Sequence, residues 1–153
     1  MARLQITTPT DSEKIPTLYI GKNLYIIIGI DLKTLRLKNR ITSKTLAKDL
    51  NISVKTLKAL ENGEINKPYE YIHTYCRHFS INPNLFIKKY NIECNTFYEK
   101  LEYLKLYYGV RNLKNLDVIL NTYAGAITEY INKNRNKGIQ QLIINKYEEI
   151  KKK

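Results

Sequence analysis

The run Leu46-Ala47-Lys48-Asp49-Leu50-Asn51-Ile52-Ser53-Val54-Lys55-Thr56-Leu57-Lys58 constrains this chain more than any other stretch of it. Leu46 and Leu50 stand four apart and share one face of a helix. Ala47 beside them is small enough for a second helix to approach closely. Asn51 follows, and asparagine is second only to glycine in tolerating the left-handed backbone that stops a helix. Ser53 can then cap a new helix through its hydroxyl. Two short helices crossing over a tight turn are therefore predicted, with Leu46, Leu50, Ile52 and Leu57 inward and Val54, Lys55 and Lys58 outward.

The flanking sequence continues in helical periods. Leu24, Ile27, Ile28, Leu32 and Leu35 form one apolar stripe, which predicts a helix from about Leu24, capped by Asn23. A hairpin pairing Leu18-Tyr19-Ile20 with Leu24-Tyr25-Ile26 across Gly21-Lys22-Asn23 is the alternative. Thr42 caps the helix that carries Leu46, and Gly63 ends the one that carries Leu57 and Leu60. Pro68 suits the first turn of a fourth helix bearing Tyr71, Ile72, Tyr75 and Phe79, and Asn82-Pro83 opens a short fifth one. A second helical block starts near Asn95, where Phe97, Leu101, Leu104 and Tyr108 lie on one stripe that Gly109 ends. Helices over 113–120, 123–131 and 139–150 are expected after it, with Lys151-Lys152-Lys153 as a frayed, solvated end. The expected fold class is all-α: two small helical units in tandem behind a short N-terminal arm, with boundaries at 1–27, 28–90 and 95–150.

Charge supports a polyanionic partner. The 153 residues carry a formal net charge of +12. Composition rich in Lys, Ile, Asn and Tyr accounts for part of that excess, but not for its position. Between Asp31 and Leu60 stand eight basic residues against two acidic ones, a local charge of +6, the electrostatic pattern of a nucleic-acid-binding face.

Other classes are less well served. Cys76 and Cys94 lie far apart, so no disulfide framework is implied. His73, Cys76 and His78 fall close together, yet no second ligand pair follows them, and packing is the better account. No metal and no cofactor are expected. No segment has the roughly 18 apolar residues of a membrane span, and the N-terminus lacks an apolar signal core, so a cytoplasmic, nucleoid-associated protein is expected. There is no Gly-rich phosphate loop and no nucleophile with a base, so an enzyme is not expected. Asp117 and Glu129 come nearest to a carboxylate pair, but Glu129 fits a solvated helix face, and Asp117 could face outward through a register slip.

The ordered set Ile28-Gly29, Leu32, Leu35-Arg36, Ile41-Thr42, Leu46-Ala47, Leu50, Ile52-Ser53, Leu57 and Glu61-Asn62-Gly63, running on to Ile81–Phe86, resembles the lambda-repressor-like (Cro/C1, or XRE) DNA-binding domains. The resemblance implies a sequence-specific transcriptional regulator, a repressor of the phage or mobile-element kind, bound as a homodimer to a double-stranded operator. It implies base reading by Ser53, Val54, Lys55 and Lys58 and phosphate contact by Ser43. Lysine can reach guanine acceptors, and Val54 can pack on a thymine methyl. Arg36, Lys38, Lys44 and Asn62 are further candidates for phosphate.

Offset by 70 residues, Leu116, Leu120, Asn121, Ile127 and Tyr130 overlie Leu46, Leu50, Asn51, Leu57 and Leu60. The stretch Leu104 to Asn112 resembles the phage CI-type helix-turn-helix. Three departures stand out: Asp117 replaces the small Ala47, Thr122 replaces Ile52, and the expected second reading helix opens with uncharged Tyr123-Ala124-Gly125-Ala126. Gly125 within a helix would cost up to ~1 kcal/mol relative to Ala. Residues 95–150 carry eight basic and six acidic groups, a charge of only +2. Two readings stay open. The block is either a second DNA-binding unit, with Tyr123, Ala124, Thr128, Lys133, Arg135 and Lys137 as its candidates, or a degenerate copy that dimerises or binds a protein partner. The competing function for the whole chain is a protein-interaction module, an antitoxin or anti-repressor.

Overall fold

Helix-stopping residues set the architecture. The computed structural model describes residues 16–152, so the first fifteen residues of the expected arm and Lys153 lie outside the described residues. Nine helices follow one another among the described residues: α1 (Lys22–Lys38), α2 (Ser43–Asp49), α3 (Val54–Glu61), α4 (Tyr69–His78), α5 (Pro83–Lys88), α6 (Phe97–Tyr108), α7 (Leu113–Ile119), α8 (Ala126–Lys133) and α9 (Gly138–Lys152).

The hairpin alternative does not form. α1 starts at Lys22, two residues before Leu24, and Leu24 and Tyr25 are buried, so residues 22–27 belong to the packed helix rather than to a lead-in. Leu18 instead makes an isolated parallel bridge with Ile92. Its N–H donates to the Asn91 carbonyl at 2.8 Å, and its carbonyl accepts from the Glu93 N–H at 2.8 Å.

Several boundaries follow from local chemistry. Thr42 Oγ1 accepts from Thr45 N–H at 3.1 Å and Ser53 Oγ from Thr56 N–H at 3.0 Å, so each hydroxyl satisfies a donor that its helix leaves unpaired. Asn82 caps α5 with Pro83 in its first turn. Thr96 and Glu99 form a reciprocal capping box on α6. Asn51 takes φ 58° and Asn121 φ 59°, the left-handed stops expected of them.

The 70-residue offset extends to the backbone. α1 is capped at its C-terminus by Asn39 and α6 by Gly109; α2 and α7 are capped by Thr42 and Asn112 and cover matching spans. After α2, Ile52 N–H donates to the Ala47 carbonyl at 2.9 Å, and after α7, Thr122 N–H donates to the Asp117 carbonyl at 2.9 Å. The third helices diverge. α3 opens directly after Ser53, whereas α8 opens only at Ala126, not at Tyr123 as expected.

The cause is Asp117. Its carboxylate does not face outward but is fully buried, accepting from Gly125 N–H at 2.8 Å and Ile127 N–H at 3.2 Å. A carboxylate at the positive end of a helix is favourable, and this one holds the start of α8 from the neighbouring helix. Gly125 is therefore not inside a helix. It is the N-cap of α8, at φ 93°, a backbone that glycine adopts without steric cost.

α6 joins the two halves, packing on α4 and α5 on one side and on α9 on the other. Leu101, Leu104 and Leu106 are buried in this seam, each contributing about 1.5–3 kcal/mol by removal from water. A polar relay crosses it. Tyr25 Oη donates to Tyr69 Oη, Tyr69 Oη donates to Glu102, and the buried Lys105 Nζ donates to Glu102 at 3.0 Å. His73 also sits here, its Nε2 donating to the Leu106 carbonyl at 2.8 Å. Gly109 lies against the His73 ring, where a Cβ would come within 2.4 Å of Cγ.

The C-terminal end corrects another expectation. Lys151 is not a frayed residue: its Nζ donates to the Ile92 carbonyl at 2.7 Å and stands over the rings of Tyr103 and Tyr147. Partial burial pushes its pKa below the ordinary lysine value.

Candidate nucleic-acid interface

The face presented by α2 and α3 rests on a narrow base. Leu46, Ala47, Leu57 and Leu60 are buried beneath it, and α2 and α3 pack on each other while α3 packs on α1. Gly29 lets α1 pass close to the end of α3, where a Cβ would fall 2.4 Å from the Glu61 carbonyl oxygen.

Above that base, Lys55 and Lys58 are exposed on α3, and Lys38, Lys44 and Asn62 are exposed around it. Lys38, Lys44, Lys55 and Lys58 form no ion pair among the described residues, so their charge is not cancelled locally. Val54 and Ser43 are half-buried, each at the first position of its helix. Ser53 is exposed, but its hydroxyl is engaged: it accepts from Thr56 N–H and donates to Thr56 Oγ1 at 2.9 Å. Its visible role is to start α3.

Arg36 is the one member of the set that lies elsewhere. Only 6% of it is exposed. Its Nε and Nη2 donate to the two Glu61 carboxylate oxygens at 2.8 and 3.1 Å, and its Nη1 donates to the Ile41 carbonyl at 2.9 Å. The Glu61 oxygen bonded to Nε also accepts from the Tyr75 hydroxyl at 2.7 Å. Hydrogen bonding to Glu61 raises the guanidinium pKa above its ordinary value. Three of its five N–H donors are committed, and burial keeps the group from reaching a phosphate, so the expectation for Arg36 is withdrawn. The sequence placed Tyr75 on a helix stripe and Glu61 in the family set, but did not pair either with Arg36. The available signal is that, 70 residues on, Arg36 and Glu61 are both replaced by apolar residues, Leu106 and Ile131.

The candidates in the second half separate into two groups. Lys133 is exposed at the end of α8, and Arg135 and Lys137 are exposed in the loop after it, alternating with Asn134 and Asn136 at φ 52° and 60°. Tyr123, by contrast, is tied down: its hydroxyl donates to Glu129 Oε1 at 2.6 Å and accepts from Asn136 Nδ2 at 3.0 Å. Ala124 is exposed, while Thr128 is half-buried on α8. Glu129 thus bonds to Tyr123 and forms no pair with Asp117. The His73, Cys76 and His78 group is accounted for by packing: the first two are buried, and His78 lies edge-on to Phe79 at 4.9 Å.

Two short helices crossing at a small residue, joined by a left-handed asparagine and leaving a cationic outer face on the second, define a helix-turn-helix of the DNA-binding class. Within that class, residues 31–84 match the family model for the Cro/C1-type HTH DNA-binding domain, a span running from the second half of α1 through α2, α3 and α4 to the start of α5. The chain is therefore a DNA-binding transcription regulator that carries a Cro/C1-type helix-turn-helix domain. No curated protein and no solved structure gives a significant match to it. None of the helices among the described residues is long and apolar enough to cross a membrane.

Proposed function

We propose that the chain is a sequence-specific transcriptional repressor of the phage or mobile-element kind, built from units at 28–90 and 95–150 and bound to its operator as a homodimer. The carrying observation is the outer face of α3, where Lys55 and Lys58 are exposed and free of ion pairs while Leu57, Leu60 and Glu61 are buried directly beneath. α3 enters the major groove. Lys55 and Lys58 reach base acceptors, Val54 meets a thymine methyl, and Ser53 fixes the helix opening beside them. Lys38, Ser43, Lys44 and Asn62 hold the flanking phosphates and set the register. Repression follows from occupying the promoter, with lysines releasing counterions from the backbone.

Selection of bound sequences from random duplex DNA at two salt concentrations tests this. A recovered inverted repeat, with half-sites about 10 bp apart, is expected. Recovery of no motif would overturn the reading. A second reading, in which the chain is an antitoxin or anti-repressor, draws support from Val118, which is 74% exposed, and from the neighbouring exposed Ile119 and Tyr123. Tight, salt-insensitive protein binding with no DNA motif would favour it.

A further inference from the structure

The sequence segments of the two third helices align at the same 70-residue offset, but their chemistry has parted. Ser53, Val54, Lys55 and Lys58 of the first half stand opposite Tyr123, Ala124, Gly125 and Thr128 of the second. The opening turn that carries Val54 and Lys55 in α3 has no helical counterpart before Ala126. In its place, Tyr123 is bonded to the Glu129 carboxylate and to Asn136, so the reading position holds an aromatic ring and an anion already satisfied by each other. Such a surface presents no cation to a base edge where the first half presents Lys55 and Lys58, and the carboxylate repels phosphate.

The cations around that position remain. Lys114 is exposed at the place matching Lys44, and Lys137 at the place matching Lys67. Lys133 ends α8, Arg135 and Lys137 follow it in the loop, and Asn136 between them donates to the Tyr123 hydroxyl, which ties the loop to the opening of the blunted helix. None of these cations forms an ion pair among the described residues. Arg111, just before α7, also reaches the first half: it lines a groove of about 260 Å³ with Leu50 and Ile52 of the α2–α3 turn and with Glu70, Tyr71 and Thr74 of α4.

We propose that the second half grips the phosphate backbone of the same duplex without reading its bases. Lys133, Arg135 and Lys137 form the main contact, and Arg111 and Lys114 bridge it to the first half. The inference rests on the regulator reading above, and it divides the labour: the first half supplies sequence discrimination, the second supplies sequence-independent affinity.

The test compares the unaltered 153-residue chain with K133Q/R135Q/K137Q and with K55A/K58A. Fluorescence anisotropy on the selected operator and on a scrambled duplex of equal length is read from about 50 to 200 mM salt, where each phosphate contact contributes about 0.9 to the log–log salt slope. The loop variant is expected to lower the slope by about 2–3 on both duplexes while leaving the operator-to-scrambled ratio unchanged. An unchanged slope on both duplexes overturns the inference, because the loop then touches no DNA. A collapse of the ratio overturns it too, because the loop then reads bases. Arg135→Glu, a single change on an exposed residue, repeats the test with less risk to folding. An operator ratio that survives K55A/K58A faults the first half as reader and leaves the loop result standing. A wild-type chain that holds no duplex overturns both readings together, and binding of an acidic protein in its place identifies the alternative use of the loop.

Discussion

Replacing Arg36 with Leu removes one partner of a buried pair and strands the Glu61 carboxylate, which is then left with the Tyr75 hydroxyl as its remaining side-chain donor. Breaking a buried ion pair from one side costs about 3–5 kcal/mol. At roughly 2–4 °C per kcal/mol for a chain of this size, Tm should fall by about 6–20 °C. Adding Glu61→Ile should restore most of the loss, because it converts the site to the apolar pair, Leu106 and Ile131, that the second half carries at the matching positions. Tyr75 keeps an acceptor in the double variant, its hydroxyl lying 2.8 Å from the Leu32 carbonyl oxygen. Thermal melts of both single variants and the double variant form a mutant cycle that isolates the coupling. The salt slope of operator binding by the double variant should match wild type, since Arg36 is not a phosphate contact. A loss below about 1 kcal/mol for Arg36→Leu, well short of the figure for a buried pair, would refute the reasoning. So would a double variant no better than the sum of its parts.

Three further outcomes are expected. Lys55→Ala and Lys58→Ala should each reduce discrimination for the operator by about 1–3 kcal/mol, with unchanged Tm, as read by competition against scrambled DNA. Gly109→Ala should destabilise by more than about 1 kcal/mol, because residue 109 has φ 72° and the added methyl would meet the His73 ring; an unchanged melting curve would contradict the packing described. Burial, with Arg77 adding to it, holds the His73 pKa below its ordinary 6.5. The unfolded chain therefore takes up a proton near pH 6.5 that the folded chain resists, so this residue's contribution is complete above that pH and declines below it. The fall in Tm between pH 7 and pH 5 should be smaller in His73→Gln; an identical fall would remove His73 as the cause.

Much of the first half was legible because its signals are local. Thr42, Ser53, Asn51 and Asn82 each act on backbone within a few residues, and Leu46, Leu57 and Leu60 repeat at helical spacing. Arg36 was misplaced because its partner lies 25 residues away, and an isolated arginine in a basic stretch looks like a surface charge. Asp117 was misjudged for the opposite reason. A carboxylate in the position of a small contact residue looks like damage, until the helix it caps is seen to begin three residues late. Lys151 belonged to a triplet of lysines that reads as a solvated end, and only the fold brings the Ile92 carbonyl and two tyrosine rings to it.

The seam at α6 has a consequence for how the molecule meets DNA. Two binding surfaces joined by a flexible linker act at an effective concentration set by the reach of that linker, and they tolerate many spacings. Here the surfaces are joined by buried leucines and by the chain of Tyr25, Tyr69, Glu102 and Lys105. Docking the first half thus delivers the loop at Lys133–Lys137 to one distance and one azimuth along the helix, with little entropy left to lose. If the loop holds phosphate as proposed, the gain in avidity would be large where the DNA backbone passes that point and absent where it does not, so the chain would respond to curvature of the duplex, to which no residue of the loop responds chemically.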